Sequence, residues 1–264
     1  MVLYGAHLSR RTIVEGVKAT GAQAAQVFLG SPKSWAAPAK LPETDLKFWA
    51  DYKLPVYVHS SYLVNPAGNT EDFRAKTIKS LNDQFSAAAD IKSSGLVVHG
   101  GHASGQTLDV AVARWKECLA QVDMRGVQLL VENTAGGSNA PGRSLEGLQK
   151  LWEAIGDYSP KLCLDTCHAW TGNVLDAELP ADEAFHKFMD ELDASGIEIA
   201  LTHLNGSMDP RRGGRDHHSN LTASLYSIEV SKSVAERANV PAILETPGPL
   251  AVLKAELDAL RIGN

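Results

Sequence analysis

Apolar runs alternate with polar, turn-rich stretches along the whole chain. Eight short runs read as strands. Seven of them end in a side chain able to bind a metal: GAH at His7, VYVH at His59, GLVVH at His99, QLLVE at Glu132, LCLD at Asp165, ALTH at His203 and AILE at Glu245. The eighth, AAQVF, ends at Phe28 without a ligand. Helical spacing appears between the runs. Ile78, Leu81, Phe85 and Ile91 share one face, with Ala88 near it. Ser144 caps a helix carrying Leu145, Leu148, Leu151, Trp152 and Ile155, with Gly156 as its stop. Pro180 opens a helix that turns Phe185, Phe188, Met189 and Leu192 inward, with Gly196 after it, and a last helix runs from Leu250 to Leu260. Eight strands, seven of which deliver polar residues at their C-terminal ends, alternating with helices, predict an α/β (β/α)8 TIM barrel with its site at the C-terminal mouth.

Bulk properties sharpen this picture. The 264 residues match the roughly 250 typical of one such barrel. No Pro/Gly/Ser-rich linker divides the chain, so one domain over residues 1–264 is expected. No apolar run approaches the roughly 20 residues that span a bilayer, and MVLYGAHLSRR reads as a first strand, which predicts a cytoplasmic protein. Cys118, Cys163 and Cys167 form no CxxC pair and read as buried small hydrophobes rather than disulfides or a cysteine-rich zinc site. A net charge of −6 by itself disfavours a nucleic-acid partner. Three divalent ions at one rim would add about +6, and Arg211, Arg212 and Arg215 bring basic charge to the same rim.

One His or Glu at a strand end is usually just a polar residue meeting solvent. Six such ligands plus His7 on one rim are different, because crowded carboxylates repel unless cations separate them. Mixed imidazole and carboxylate donors suit zinc, manganese or ferrous iron and not the all-oxygen calcium pattern. In CLDTCHAW, Asp165 and His168 face neighbouring metals across a strand-to-helix turn. In GGRDHHSN, Asp216 and His218 point the same way in an extended segment, and His217 faces elsewhere, toward a phosphate. With His168 they make a three-ligand, open site of the catalytic type. Three Gly/Pro/Asn/Ser-rich loops, GSPKSWAAPAKLP, SSYLVNPAGNTED and NGSMDPRRGGRDHHSNL, follow the second, third and seventh strands and carry recognition.

The motifs GAHLS, QVFLGSPKSW, VHSSYLVN, VHGGH, ENTAGG, CLDTCHAW, THLN, GRDHH and ILET, in this order, resemble those of endonuclease IV, the zinc-dependent apurinic/apyrimidinic endonucleases of DNA repair. The resemblance runs almost end to end. It implies a trinuclear zinc site with Mn2+ or Fe2+ as substitutes: His59, His99 and Glu132 for one ion, Glu132, Asp165, His203 and Glu245 for a second, and His168, Asp216 and His218 for a third. It implies Glu132 and Glu245 as catalytic carboxylates, His7 and Tyr62 at the lesion pocket, and Lys33 and Trp35 on a loop that probes duplex DNA. Arg215 and His217 are expected at phosphates, and the family points to a monomer working on DNA at the nucleoid.

The chain departs from the family pattern at three places. Gly206 stands where an acidic residue is usual, NLTAS at 220–224 where a glycine-rich turn is usual, and His217 where Arg is common. All lie in the loop of the third site, so they bear on DNA affinity and third-site geometry more than on the two-metal core. The competing expectation is a sugar isomerase or epimerase on a related barrel. A third metal site has no task in moving a proton on a small sugar.

Overall fold

The structure, a computed structural model, describes residues 1–262, the side chain of Ala50 excepted. The expected domain boundary at residue 264 lies outside the described residues. Strands β1 (Tyr4–His7), β2 (Ala25–Val27), β3 (Val56–His59), β4 (Gly95–His99), β5 (Leu129–Glu132), β6 (Lys161–Asp165) and β7 (Ile199–His203) pair in parallel, each with the next. A small hairpin, β8 (Gly206–Ser207) and β9 (His218–Ser219), interrupts the series. Strand β10 (Ala242–Leu244) pairs with both β7 and β1 and closes the barrel. Helices α1 (Ile13–Thr20), α2 (Glu43–Asp51), α3 (Glu71–Asp90), α4 (Leu108–Leu119), α5 (Leu145–Ile155), α6 (Thr166–Thr171), α7 (Ala181–Ala194), α8 (Ile228–Ala238) and α9 (Leu250–Arg261) fill the connections.

Local chemistry explains where the helices sit. Ser144 accepts from the Gly147 N–H and caps α5, and Thr70 and Thr107 do the same for α3 and α4. Pro180 stands at the N-cap of α7. The stop expected at Gly156 is different in detail: Gly156 stays right-handed and starts a 3-10 turn, and the left-handed residue is Ser159, at φ 48°. Phe185, Phe188, Met189 and Leu192 are buried against the sheet as their spacing requires. Trp152 and Ile78 are only partly buried, at the edges of their helix faces.

Two apolar layers result. The larger one packs helices onto the outside of the strands. The smaller one, Ala24, Tyr57, Val97, Leu130, Cys163, Leu201 and Ile243, plugs the barrel interior. Truncating a residue such as Leu130 to Ala would cost about 2–5 kcal/mol. At the same level on β1 stands Gly5, where an added Cβ would lie 2.1 Å from the Ala24 carbonyl oxygen. Side chains alternate faces along a strand, so the residue two positions after each plug residue also points inward. Those residues are His7, Gln26, His59, His99, Glu132, Asp165, His203 and Glu245. Cross-strand register sets His99 beside Glu132 and Asp165 beside His203.

Candidate metal centre

The mouth of the barrel is thus a polar ring resting on an apolar plug. Glu132, Asp165 and His203 are fully buried in it. A buried unpaired charge costs several kcal/mol, so a ring of buried carboxylates has to be balanced by positive charge. Ligand atoms gather in groups within 4.8 Å of one another: His59, His99 and Glu132; Glu132, Asp165, His203 and Glu245; and His168, Asp216 and His218. The structure therefore brings together the nine residues expected as ligands, with Glu132 common to two groups.

Spacing within the groups fits a cation. His59 Nε2 and His99 Nε2 lie 3.3 and 3.2 Å from Glu132 Oε2, yet that buried oxygen has no hydrogen-bond partner. His168 Nε2 and His218 Nε2 lie 3.1 and 3.0 Å from the two Asp216 oxygens, and His218 Nε2 also lacks a hydrogen bond. Donors about 2.0–2.1 Å from a tetrahedral ion stand about 3.3 Å apart. Nitrogen and oxygen atoms held at that separation, without bonding one another, match the edges of a coordination polyhedron. The donor set suits a zinc-like ion and not calcium. This is a metal-binding centre.

Partners behind the ring orient it. His59 Nδ1 donates to the Ser60 carbonyl at 2.7 Å and His168 Nδ1 to the Asn133 carbonyl at 2.9 Å, which leaves each Nε2 lone pair for a metal. His203 is reversed: Nε2 donates to Gln26 Oε1 at 2.8 Å, and Nδ1 faces Glu132 Oε1 and Glu245 Oε2, each at 3.2 Å. Gln26 Nε2 in turn donates to Glu245 Oε1 at 2.6 Å. Asn205 Nδ2 donates to Asp165 Oδ2 at 2.6 Å, and Asn205 Oδ1 accepts from the Glu245 N–H at 2.9 Å. Asn133 brackets the backbone of Asp165 in the same way. Gln26, Asn133 and Asn205 were missed in the sequence. Only Gln26 left a signal: it has the same phase on β2 that the ligands have on their strands.

Protonation shows the same charge balance. Burial favours the neutral acid at Glu132, but His99, His203 and His168 outweigh it and hold the carboxyl well below its usual range. Burial likewise opposes charge on His203, and Cys163, Glu245 and Glu132 together hold it well above its ordinary value. Burial is overcome at His218 too, where Asp216 and Asp165 raise the imidazole to about 9. The three cysteines are free and buried, as expected. Cys167 also lies near Asp165 and His218, but burial and Asp165 push its thiol up to about 12, which disfavours the thiolate a metal requires.

The loop of the third group has its own scaffold. An added Cβ on Gly206 would meet Ser219 Oγ at 2.6 Å, the Asn220 carbonyl oxygen at 2.7 Å and Ser224 Cβ at 2.8 Å. Gly206 and the 220–224 segment are therefore matched to each other: an acidic side chain at 206 has no room beside this segment. Buried Glu256 on α9 fastens the segment, accepting from Leu221 N at 2.5 Å and Asn220 Nδ2 at 3.2 Å, and it also accepts from Thr246 Oγ1, next to Glu245.

Residues expected to meet substrate are spread round the rim. His7 belongs to no ligand group. Its Nδ1 lies 3.2 Å from Glu245 Oε1 and 3.0 Å from Gln26 Nε2, and burial lowers its pKa. Half-exposed Tyr62 stacks on His99 at 6.0 Å and meets Phe28 and His59 edge-on. Trp35 packs edge-on against Phe73 of α3, and Lys33 is exposed. The expectation of a three-arginine basic rim needs correction. Arg211 donates to the carbonyls of Asp176, Ala177 and Leu179 and lies 4.5 Å over the Trp170 ring, and Arg212 donates to the Leu175 carbonyl. Both guanidiniums tie the loop to the 175–179 segment. Arg215 alone of the three is exposed without a hydrogen bond or ion pair among the described residues. His217 is exposed but turned to Asp209, 2.9 Å away.

Fold and site together define a metal-binding TIM barrel. The chain matches the family described as xylose isomerase-like TIM barrel over residues 14–262. Probable endonuclease 4 of Mycobacterium ulcerans (strain Agy99) is 37% identical over 246 residues, 93% of each chain. Endonuclease IV from Thermus thermophilus superposes with a TM-score of 0.81 at 31% identity, covering 98% of this chain and 97% of that one. A D-tagatose 3-epimerase-like protein shares the fold, with a TM-score of 0.75 at 17% identity, covering 98% of this chain and 96% of that one. The chain belongs to the xylose isomerase-like TIM barrel family and, within it, to the endonuclease IV group.

Proposed function

We propose that the protein is an apurinic/apyrimidinic endonuclease, a hydrolase that cuts duplex DNA on the 5′ side of an abasic site and leaves a 3′ hydroxyl and a 5′ deoxyribose phosphate. The observation that carries this reading is the third ligand group, His168, Asp216 and His218, standing beside the two that share Glu132. Proton transfer on a small sugar needs no such group. A phosphodiester has two oxygens to neutralise and a poor alkoxide to release, and an added ligand set beside the other two meets that need.

Under this reading nine side chains hold three ions, zinc by the donor set, with His7 outside them. Bound divalent ions would neutralise the phosphate and lower the pKa of water. The protein's own groups do the positioning. Glu245, held at Oε1 by Gln26 and at its backbone N–H by Asn205, would assist in orienting or deprotonating the attacking water. Water adds to phosphorus, the bond from phosphorus to the 3′ oxygen breaks, and that oxygen leaves with a proton as the 3′ hydroxyl. Tyr62, over His99, would line the lesion pocket with His7, and exposed Lys33 and Arg215 would meet backbone phosphates of the duplex. A site without its base is the cheapest to open, which favours the lesion over intact DNA.

No helix among the described residues is long and apolar enough to cross a membrane. The proposed setting is the cytoplasm, at the nucleoid, as a monomer. The test is gel analysis of a synthetic abasic duplex with identification of both ends. A 3′ hydroxyl supports the reading. A 3′ unsaturated aldehyde would mean elimination, and an intact duplex alongside epimerised sugar would mean the other chemistry of this fold.

A further inference from the structure

Beyond His7 and Phe28 the barrel mouth opens into a groove of about 730 Å3. One wall is the segment from Leu8 to Arg11, between β1 and α1. The other is built of small residues of the loop after β2, Gly30, Ser31, Ala37 and Ala39. Two adjacent arginines, Arg10 and Arg11, stand in the first wall, and no acidic residue lines the groove. Neither guanidinium has a hydrogen bond or ion pair among the described residues.

Other charged grooves on the molecule differ. In the one beside α7, Lys187 is paired to Asp176 at 2.7 Å, and Glu191 and Arg212 are the other charged residues of the lining. In the one between α3 and α4, Arg74 and Lys79 share the lining with Glu71 and Glu117. On a chain of net charge −6, an acid-free groove with two unpaired guanidiniums is a local reversal of sign. Its floor is continuous with the metal centre, because Phe28 packs on His7 at 4.5 Å and on the ligand His59 at 5.2 Å. A guanidinium presents a planar fork that matches a phosphate, and the small residues opposite leave width for a sugar–phosphate backbone.

We propose that Arg10 and Arg11 bind backbone phosphates of the DNA strand leaving the metal centre over β1 and β2, so that this groove fixes the register of the duplex on that side. The inference rests on the reading of the protein as a DNA endonuclease. The contacts are to backbone, so they carry affinity and no sequence preference.

The experiment compares metal-loaded wild type, R10A/R11A and R10K/R11K, with metal content checked in each. Binding to an abasic and to an intact duplex is followed across salt, and incision is measured over a range of duplex concentrations up to saturation. Loss of two phosphate contacts should flatten the log–log salt slope by about 1.8 and weaken binding on the order of tens-fold at 0.1 M salt. KM should rise while kcat and metal content stay unchanged, and the lysine pair should recover most of the slope. Wild-type slope and affinity in R10A/R11A would overturn the proposal. If the wild type cuts neither duplex, the functional reading falls, while the salt slope on intact duplex still decides whether these arginines touch DNA.

Discussion

Glu132, Asp165 and His203 end neighbouring barrel strands and are fully buried, whereas Asp216 and His218 hang from a loop, and the Asp216 side chain is 48% exposed. The first set is held by the strand ladder, by the plug beneath it and by the amides of Gln26, Asn133 and Asn205. The second is held by a hairpin of two residues per strand, by two arginines bonded to carbonyls, and by Glu256. Fewer buried contacts and more solvent-facing hydrogen bonds mean a lower cost of local opening. The difference teaches that the ligand groups form two tiers: a strand-borne pair that is rigid with the fold, and a loop-borne group from which a bound ion would exchange more readily.

Breaking the strand-borne tier should have the largest effect. Glu132→Ala removes the carboxylate common to two ligand groups. We expect loss of at least two ions and a fall in incision of at least about 10^3-fold, since each ion stabilises transition-state charge by several kcal/mol. Elemental analysis beside the activity assay reads both. Asp216→Ala strikes the loop tier alone. Incision should fall by about 10^2-fold through turnover, with the other two ions retained. Equal loss of every ion in both variants would erase the distinction between the tiers.

Smaller changes sharpen it. Gln26→Ala removes the acceptor of His203 Nε2–H and the donor to Glu245, with no ligand lost. Metal affinity in the strand-borne tier should drop about 10–100-fold by chelator competition, and the loop site should be unaffected. Gly206→Ala places a Cβ against Ser219, Asn220 and Ser224. Overpacking of this kind costs about 1–3 kcal/mol. Thermal melting should show that loss, with the third ion more weakly held. A neutral Gly206→Ala would show that the loop does not depend on this fit.

The same division explains what could be read in the chain. Barrel and strand-end ligands were legible because period-two alternation places each of His59, His99, Glu132, Asp165 and His203 two residues after an apolar interior position. The loop ligands were less legible: the i, i+2 phase of Asp216 and His218 points them the same way, but a bare DHH in a loop is commonly a solvated turn, and only the company of His168 and the family resemblance gave it weight. Gln26 was passed over because its strand was followed to Phe28, and its partner His203 is 177 residues away. Arg211 and Arg212 misled because a count of charges does not show that their guanidiniums are spent on carbonyls. The fit of Gly206 to Asn220 and Ser224 is a matter of ångströms between distant backbones, which no spacing rule reports. Arg10 and Arg11 were visible as adjacent charges after GAHLS, but their groove exists only once β1 and β2 are side by side.

The central claim is that three ligand groups at one barrel mouth work as one centre in two tiers. Graded chelation of the purified protein tests it most directly, with ions per chain and abasic-duplex incision measured at every step. The account predicts about three ions at the start, loss of one before the other two, and collapse of incision with that first loss. A single ion per chain at the start, or incision that survives removal of the first ion, would contradict it.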